Sequence, residues 1–278
     1  MEMLFFLCGV AAVGFVLCIS LYLLVAGLPA IWEIGVTEFL LGTSWRPTES
    51  VPHYGILSFI LTSVAGTAGA ILCGVPAGLM VAVYMAKEAE ARPAALLRTA
   101  VRLLAGIPSV VYGLVGMIVL VPAIRDYFQL ASGATLLAAI VVLSIMILPT
   151  VISVAETALV AVPREYEEAS LALGATETET WWRVSVPAAR SGILASVVLG
   201  VGRAIGEAMA VIMVAGNVAN LPGLLVPVRF LTTAIASEMS YAAVGSLHRE
   251  ALFSIGLVLL LFIMLSNVLL NLANRERD

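Results

Sequence analysis

The stretch GRAIGEAMA, positions 202–210, places Arg203 and Glu207 inside a run from Ser191 to Ala219 that is otherwise apolar or small. An arginine there suits one kind of chemistry, because its planar guanidinium meets the oxygens of a tetrahedral oxyanion in pairs and keeps its charge wherever it is put. A glutamate four residues on accepts a hydrogen bond from an anion that still carries a proton and repels one that does not. The plainer alternative is a self-neutralising pair, since positions four apart share a helix face. Base before acid is the weaker order, however, and even the better order is worth only ~0.2–0.5 kcal/mol. Gly202 and Gly206 flank the charges as G-x-x-x-G, a spacing that admits a close helix neighbour while the charges face a polar gap.

A second stretch, AGIPSVVYG at 105–113, carries polar groups beside a proline. Pro108 removes a backbone donor, so freed carbonyls and the Ser109 and Tyr112 hydroxyls are candidate pathway lining; a kink made for packing alone is the competing reading. Catalytic motifs are missing: there is no G-x-x-x-x-G-K-[ST], H-E-x-x-H, G-x-S-x-G or C-x-x-C. The two histidines, His53 and His248, offer little for metal catalysis. Cys8, Cys18 and Cys73 all fall in apolar spans, where they read as small buried hydrophobes. No catalytic residue, metal site or nucleic-acid partner is expected.

The elements that position these residues follow from composition. The chain is 62% hydrophobic and 12% charged, with a mean hydropathy of +1.09, far from the mix of a water-soluble domain. Six apolar stretches can cross a bilayer: Leu4 to Leu28, Ile56 to Ala86, Leu103 to Val121, Ala134 to Val160, Ser191 to Ala219 and Leu252 to Leu272. The first has no basic residue ahead of it and lacks a small-residue cleavage site, so it reads as a retained helix. The expectation is an all-α, polytopic membrane protein, one domain over 1–278 with six transmembrane helices.

Depth makes Arg203 costly. Ten residues past Ile193, at 1.5 Å each, it lies about 15 Å into a core about 30 Å thick. There an arginine costs about 2.5–3.5 kcal/mol, which argues for a water- or partner-lined setting. No second deeply buried Lys or Arg is evident, so a partner chain is expected to supply another cation.

Basic residues set the orientation. One set of inter-span segments holds Lys87, Arg92, Arg98, Arg102, Arg164, Arg183, Arg190, Arg275 and Arg277; the alternate set holds only Arg46, Arg125, Arg229 and Arg249. The richer set is expected in the cytoplasm, with both termini, and Trp32 and Trp45 in the first outer loop.

The inner segment 161–190, AVPREYEEASLALGATETETWWRVSVPAAR, reads as two short helices with a hinge. Pro163 suits a helix start, and Glu165, Glu167 and Glu168 suit the positive end of its dipole. Gly174 is placed to end that helix, and Thr176 with Glu179 forms a capping box that restarts it. Pro187 is expected to stop the second helix at the membrane. Tyr166, Ala169 and Leu173 share one face, which suits either the lipid surface or a docking partner.

The spacing in this loop resembles a known signature. Glu168-Ala169-Ser170, Gly174 and Val184-Ser185-Val186-Pro187 resemble the EAA motif of ABC importer permeases, with Ser170, Val184 and Val186 as conservative departures. LLAGIPSVVYGLVGM (103–117), AVPREYEEASLALGAT (161–176), GRAIGEAMAVIMVAGN (202–217) and SLHREALFSIGLVLL (246–260) are similar, in order, to the C-type permease family of Pst phosphate importers. One departure is that no basic cytoplasmic extension precedes the first span.

The resemblance implies a type I, MetI-like ABC importer permease fold in the inner membrane, with phosphate as cargo. It implies a coupling role for Glu168, Ala169, Ser170, Gly174 and Pro187, docked on a cytoplasmic ATPase dimer that binds the ATP, so that this chain needs no cofactor. It implies as further partners a related A-type permease chain, forming a heterodimer, and an external phosphate-binding protein, besides membrane lipid. A sulfate or molybdate permease is the nearest alternative. An ion-coupled secondary transporter is the alternative from another class, although no inverted repeat is visible and such a carrier has no use for the EAA-like loop.

Overall fold

The computed structural model describes residues 2–275. The long apolar runs are helical because in lipid each backbone N–H and C=O must find its partner within its own segment. In chain order they are α1 (Glu2–Ile34), α2 (Val36–Leu41), α3 (Leu57–Val83), α4 (Ala91–Gly106), α5 (Ser109–Val115), α6 (Val121–Phe128) and α7 (Leu136–Val160). The loop helices α8 (Arg164–Ala172), α9 (Glu177–Thr180) and α10 (Val186–Ala188) follow, then α11 (Arg190–Gly206), α12 (Met209–Val214), α13 (Leu231–Glu238) and α14 (Leu247–Arg275). A short hairpin, β1 (Trp45–Arg46) with β2 (His53–Tyr54), lies between α2 and α3.

The centre of the bundle is α7, buried along most of its length, with α3 on one flank and α11 on another. Small residues set the α3–α7 spacing: a Cβ added at Gly74 would come within 2.7 Å of Ile147, and one at Gly78 within 2.8 Å of Val151. At the rim α1 packs on α14, where Ser254 Oγ donates to the Gly27 carbonyl at 2.6 Å. The first two turns and more of α1 touch little else and expose Leu4, Phe5 and Phe6.

Among the described residues five helices are long and apolar enough to cross a membrane, or six if the helical run Glu177–Ala188 and α11, bent by 71°, belong to one span. Several expected boundaries move. The first helix runs on to Ile34, so Trp32 sits in its last turn rather than in a loop. The third span is Ser109–Phe128 instead of Leu103 to Val121, because Pro108 separates the amphipathic α4 from α5. The fifth is interrupted at Glu207. Trp45 is no interfacial aromatic: it is 6% exposed and belongs to the core. Cys8, Cys18 and Cys73 are exposed on helix surfaces, not buried. Arg277 lies outside the described residues.

Of three π-helical turns, Tyr84–Glu88 ends the second span, Gly116–Leu120 lies within the third, and Trp181–Ser185 lies in the loop before α11. The segments 84–106 and 161–190 lie together at one end of the bundle, joined by Lys87 and Glu167. Trp45, Arg229, Glu238 and His248 lie together at the other. Lys87 of one basic set and Arg229 of the other thus lie at opposite ends.

Candidate functional site: a broken span and a self-capped loop

Arg203 and Glu207 do not form the intrahelical pair. The α-helix ends at Gly206, and Glu207 is extended, with φ −77° and ψ 126°. Each charge instead meets a helix end of opposite sign: Arg203 occupies the last turn of α11, at its negative end, and Glu207 leads into α12, at its positive end. Glu207 Oε1 accepts from the Ala210 N–H at 2.9 Å, satisfying one of the donors the new helix leaves open. Its backbone carbonyl, freed by the break, accepts from Thr232 Oγ1 at 2.8 Å. The break is therefore held from both sides.

Arg203 is half-buried and makes no hydrogen bond or ion pair among the described residues. A Cβ added at Gly202 or Gly206 would meet nothing within 4 Å, so the close-packing role expected for these glycines is not met within this chain. They border open space beside the two charges.

Leu104 O, which the absent N–H of Pro108 cannot bond, accepts from the Ile107 N–H at 3.2 Å and from Tyr112 Oη at 2.8 Å. Tyr112 is thus turned back to its own helix break, while Ser109 is half-buried in the first turn of α5. Gly113 brings this segment to the broken span, since a Cβ there would stand 2.7 Å from Ala210 Cα. The two stretches singled out for polar lining are neighbours through α5 and α12.

The loop 161–190 forms as its local chemistry dictates. Glu165 and Glu167 lie in the first turn of α8. At its end Gly174 has φ +89°, the Gly174 N–H bonds Leu171 O at 2.9 Å, and the Ala175 N–H bonds Ser170 O at 3.3 Å, the Schellman arrangement that needs a residue without a Cβ penalty. The capping box of Thr176 and Glu179 is complete. Pro187 lies one residue before the end of the helical run Glu177–Ala188, which meets α11 at a 71° bend at Ala189, so the second loop helix stops where expected. Glu168 and Ala169 are exposed, as are Tyr166 at 56% and Leu173 at 90%. Ser170 lies inward, 2.8 Å from Thr180 Oγ1, which gives this departure from alanine a structural use.

Spacing did not reveal the residue that fastens the loop. Glu167 Oε1 accepts from Lys87 Nζ at 2.5 Å and from Ser185 Oγ at 2.8 Å. One carboxylate thereby joins α8 to the π-turn after α3 and to the π-turn that leads into α11. Burial pushes this carboxyl up, but the Lys87 and Ser185 hydrogen bonds and the Lys87 and Arg164 charges outweigh it and hold it below the usual range.

A second cluster missed by sequence reading lies at the opposite end. Glu238, with a side chain 5% exposed, pairs with Arg229 and with His248 Nε2 at 2.8 Å, and accepts from Trp45 Nε1 at 3.0 Å. Arg229 also donates to Asn217 O at 3.1 Å. Two further cations, Lys87 and Arg229, have side chains only 9% and 15% exposed; they lie at the ends of the bundle, and each is matched by a glutamate. A charged residue in an otherwise apolar stretch, Glu238 after FLTTAIAS, was the available signal.

With this architecture in view, the family is clear. Residues 74–277 match the model of the binding-protein-dependent transport system inner membrane component, and the chain belongs to that family. It is a multi-pass membrane permease of the ABC importer class. Within the family it is 40% identical over 273 residues to a probable ABC transporter permease protein, YqgH, of Bacillus subtilis, covering 97% of this chain and 88% of the relative. It is 34% identical to the phosphate transport system permease protein PstC of Xylella fastidiosa, covering 90% and 83%. It is 30% identical to the probable PstC of Methanocaldococcus jannaschii, covering 92% and 86%. Among solved structures, the inward-facing MetNI methionine ABC transporter matches with a TM-score of 0.60 at 19% identity, over 81% of this chain and 94% of that one. The last likeness speaks for the fold alone, and it agrees with the type I permease architecture.

Proposed function

We propose that this chain is the C-type permease subunit of an ATP-driven importer that moves inorganic phosphate inward across the cytoplasmic membrane, with 161–190 and both termini on the cytoplasmic side. The observation that carries the reading is Arg203: a guanidinium without a hydrogen bond or ion pair among the described residues, bordered by Gly202 and Gly206 over open space. A passing tetrahedral anion supplies the missing acceptors. Glu207 Oε2 makes no hydrogen bond among the described residues and is left to accept from an anion that retains a proton. Phosphate keeps one near neutral pH, and sulfate does not. The PstC relatives support the choice of phosphate.

In this reading Tyr166, Glu168, Ala169 and Leu173 dock on one subunit of a cytoplasmic ATPase dimer, which does the hydrolysis. A related A-type permease completes the pathway and supplies further positive charge, and an external phosphate-binding protein delivers the anion. Glu167 passes movement of α8 to α3 and α11. The test is uptake into proteoliposomes holding the reconstituted importer, with phosphate, sulfate and molybdate in competition. ATP-dependent phosphate uptake that resists the other two anions is expected. Sulfate or molybdate uptake, or uptake driven by a proton gradient without ATP, overturns the proposal.

A further inference from the structure

A cavity of about 340 Å³ opens between α4 and α7, at the end of the bundle where α7 runs into the coupling loop. Arg98, Arg102, Ser153, Glu156 and Thr157 line it, with Met85 beneath. Arg98 Nε bonds Glu156 Oε1 at 2.6 Å, so these two charges cancel. Arg102 and the Ser153 hydroxyl make no hydrogen bond among the described residues. The cavity therefore presents two open donors and one net positive charge.

Its depth identifies the surroundings. The 25 residues of α7, at about 1.5 Å each, slightly outrun a hydrocarbon core of about 30 Å. Glu156 and Thr157, near the end at Val160, thus sit at the hydrocarbon boundary. Alongside on α4, Leu96 and Leu103 are 71% and 69% exposed, as befits side chains that meet acyl chains. Basic pockets between helices at this level suit phosphate-bearing headgroups.

We propose that this cavity seats the phosphodiester of an anionic membrane lipid, with Arg102 and Ser153 as its donors. A diester carries a single negative charge at every physiological pH, which matches the single uncompensated cation; inorganic phosphate near neutral pH is a mixture of mono- and dianion, of which only the monoanion matches. The headgroup pins α4 to α7 beside Pro108 and the start of α5. Assigning the site to the cytoplasmic leaflet rests on the orientation proposed above.

The test uses the full chain in nanodiscs of equal parts phosphatidylglycerol and phosphatidylcholine, with lipids retained on release read by native mass spectrometry. About fivefold enrichment of phosphatidylglycerol is expected, the worth of one basic residue near an anionic lipid. Arg102→Gln should bring the ratio to unity, and Arg92→Gln, outside the cavity, should leave it unchanged. Retention unaltered in Arg102→Gln overturns the site. Displacement of the lipid by millimolar inorganic phosphate, with loss of phosphate binding in Arg102→Gln, assigns the cavity to the cargo and also overturns it. ATP-dependent uptake in liposomes without anionic lipid tests phosphate import separately, so failure of one reading does not mask the other.

Discussion

Removing the charge of Glu167 tests whether one carboxylate fastens the loop 161–190. The Lys87 and Glu167 side chains are 9% and 22% exposed, between the exposed pairs worth about 0–1 kcal/mol and the buried ones whose breakage costs about 3–5 kcal/mol. Glu167→Gln keeps the shape and an acceptor for Ser185 but strands the Lys87 ammonium. A cost of about 2 kcal/mol follows, roughly a 30-fold shift in the opening equilibrium of α8. Hydrogen exchange of the assembled transporter in lipid should show amides of 166–173 losing protection by that factor, with less phosphate imported per ATP hydrolysed. The double change Lys87→Met with Glu167→Gln leaves no orphan charge and should recover part of the protection. Because the native carboxyl is held below its ordinary value, its contribution is complete above about pH 4.3 and is lost only as pH falls through the lowered value. Protection of α8 should therefore be flat from about pH 5 to 8. Unchanged exchange together with an unchanged import ratio in Glu167→Gln would refute the reasoning.

Gly174→Ala forces a side chain into a left-handed conformation in open space, so about 1–2 kcal/mol of local order at the end of α8 should be lost, less for Asn; exchange at 171–175 reads it. A bulkier residue there should uncouple hydrolysis from uptake while the chain still inserts. Arg203→Gln should abolish phosphate uptake at matched membrane levels, Arg203→Lys should impair it, and Arg203→Gln with Glu207→Gln should be no better than the first single, since the two side chains are not paired; parental uptake in the double ends the pathway assignment. Trp45→Phe removes a donor to buried Glu238 and should cost about 1–3 kcal/mol in thermal unfolding of the detergent-purified chain; a melting point unchanged from the parent counts against this tie. Cysteine placed at Thr48 should label from outside and at Thr178 only after permeabilisation, and the reverse pattern would overturn the orientation.

What could be read from sequence was what the surroundings or the nearest neighbours dictate. Bilayer thickness makes long apolar runs visible, and caps such as Thr176 with Glu179, or Gly174, are settled within a few residues. The break at Glu207 was not legible, because Thr232, 25 residues away, holds its carbonyl. Neither was the setting of Lys87, whose partner is 80 residues on, nor that of Trp45, whose partner is 193 residues on. Such pairings depend on which helices meet, and helix periodicity says nothing of that. Arg203 was legible as a charge that needs an explanation, while its position at a helix end was not.

The way α8 is finished at both ends bears on how such permeases change partners. Pro163 opens it, the Schellman turn closes it, and Glu167 and Ser170 moor it from the inward side. Tyr166, Ala169 and Leu173 are consequently spared any duty in folding. If α8 docks on the ATPase as proposed, substitutions on that outer face would retune which motor subunit is recognised without disturbing the bundle. The outer face of segment 163–175 would in this sense be a transplantable adaptor, open to drift or to laboratory exchange so long as Glu167, Ser170 and Gly174 are kept.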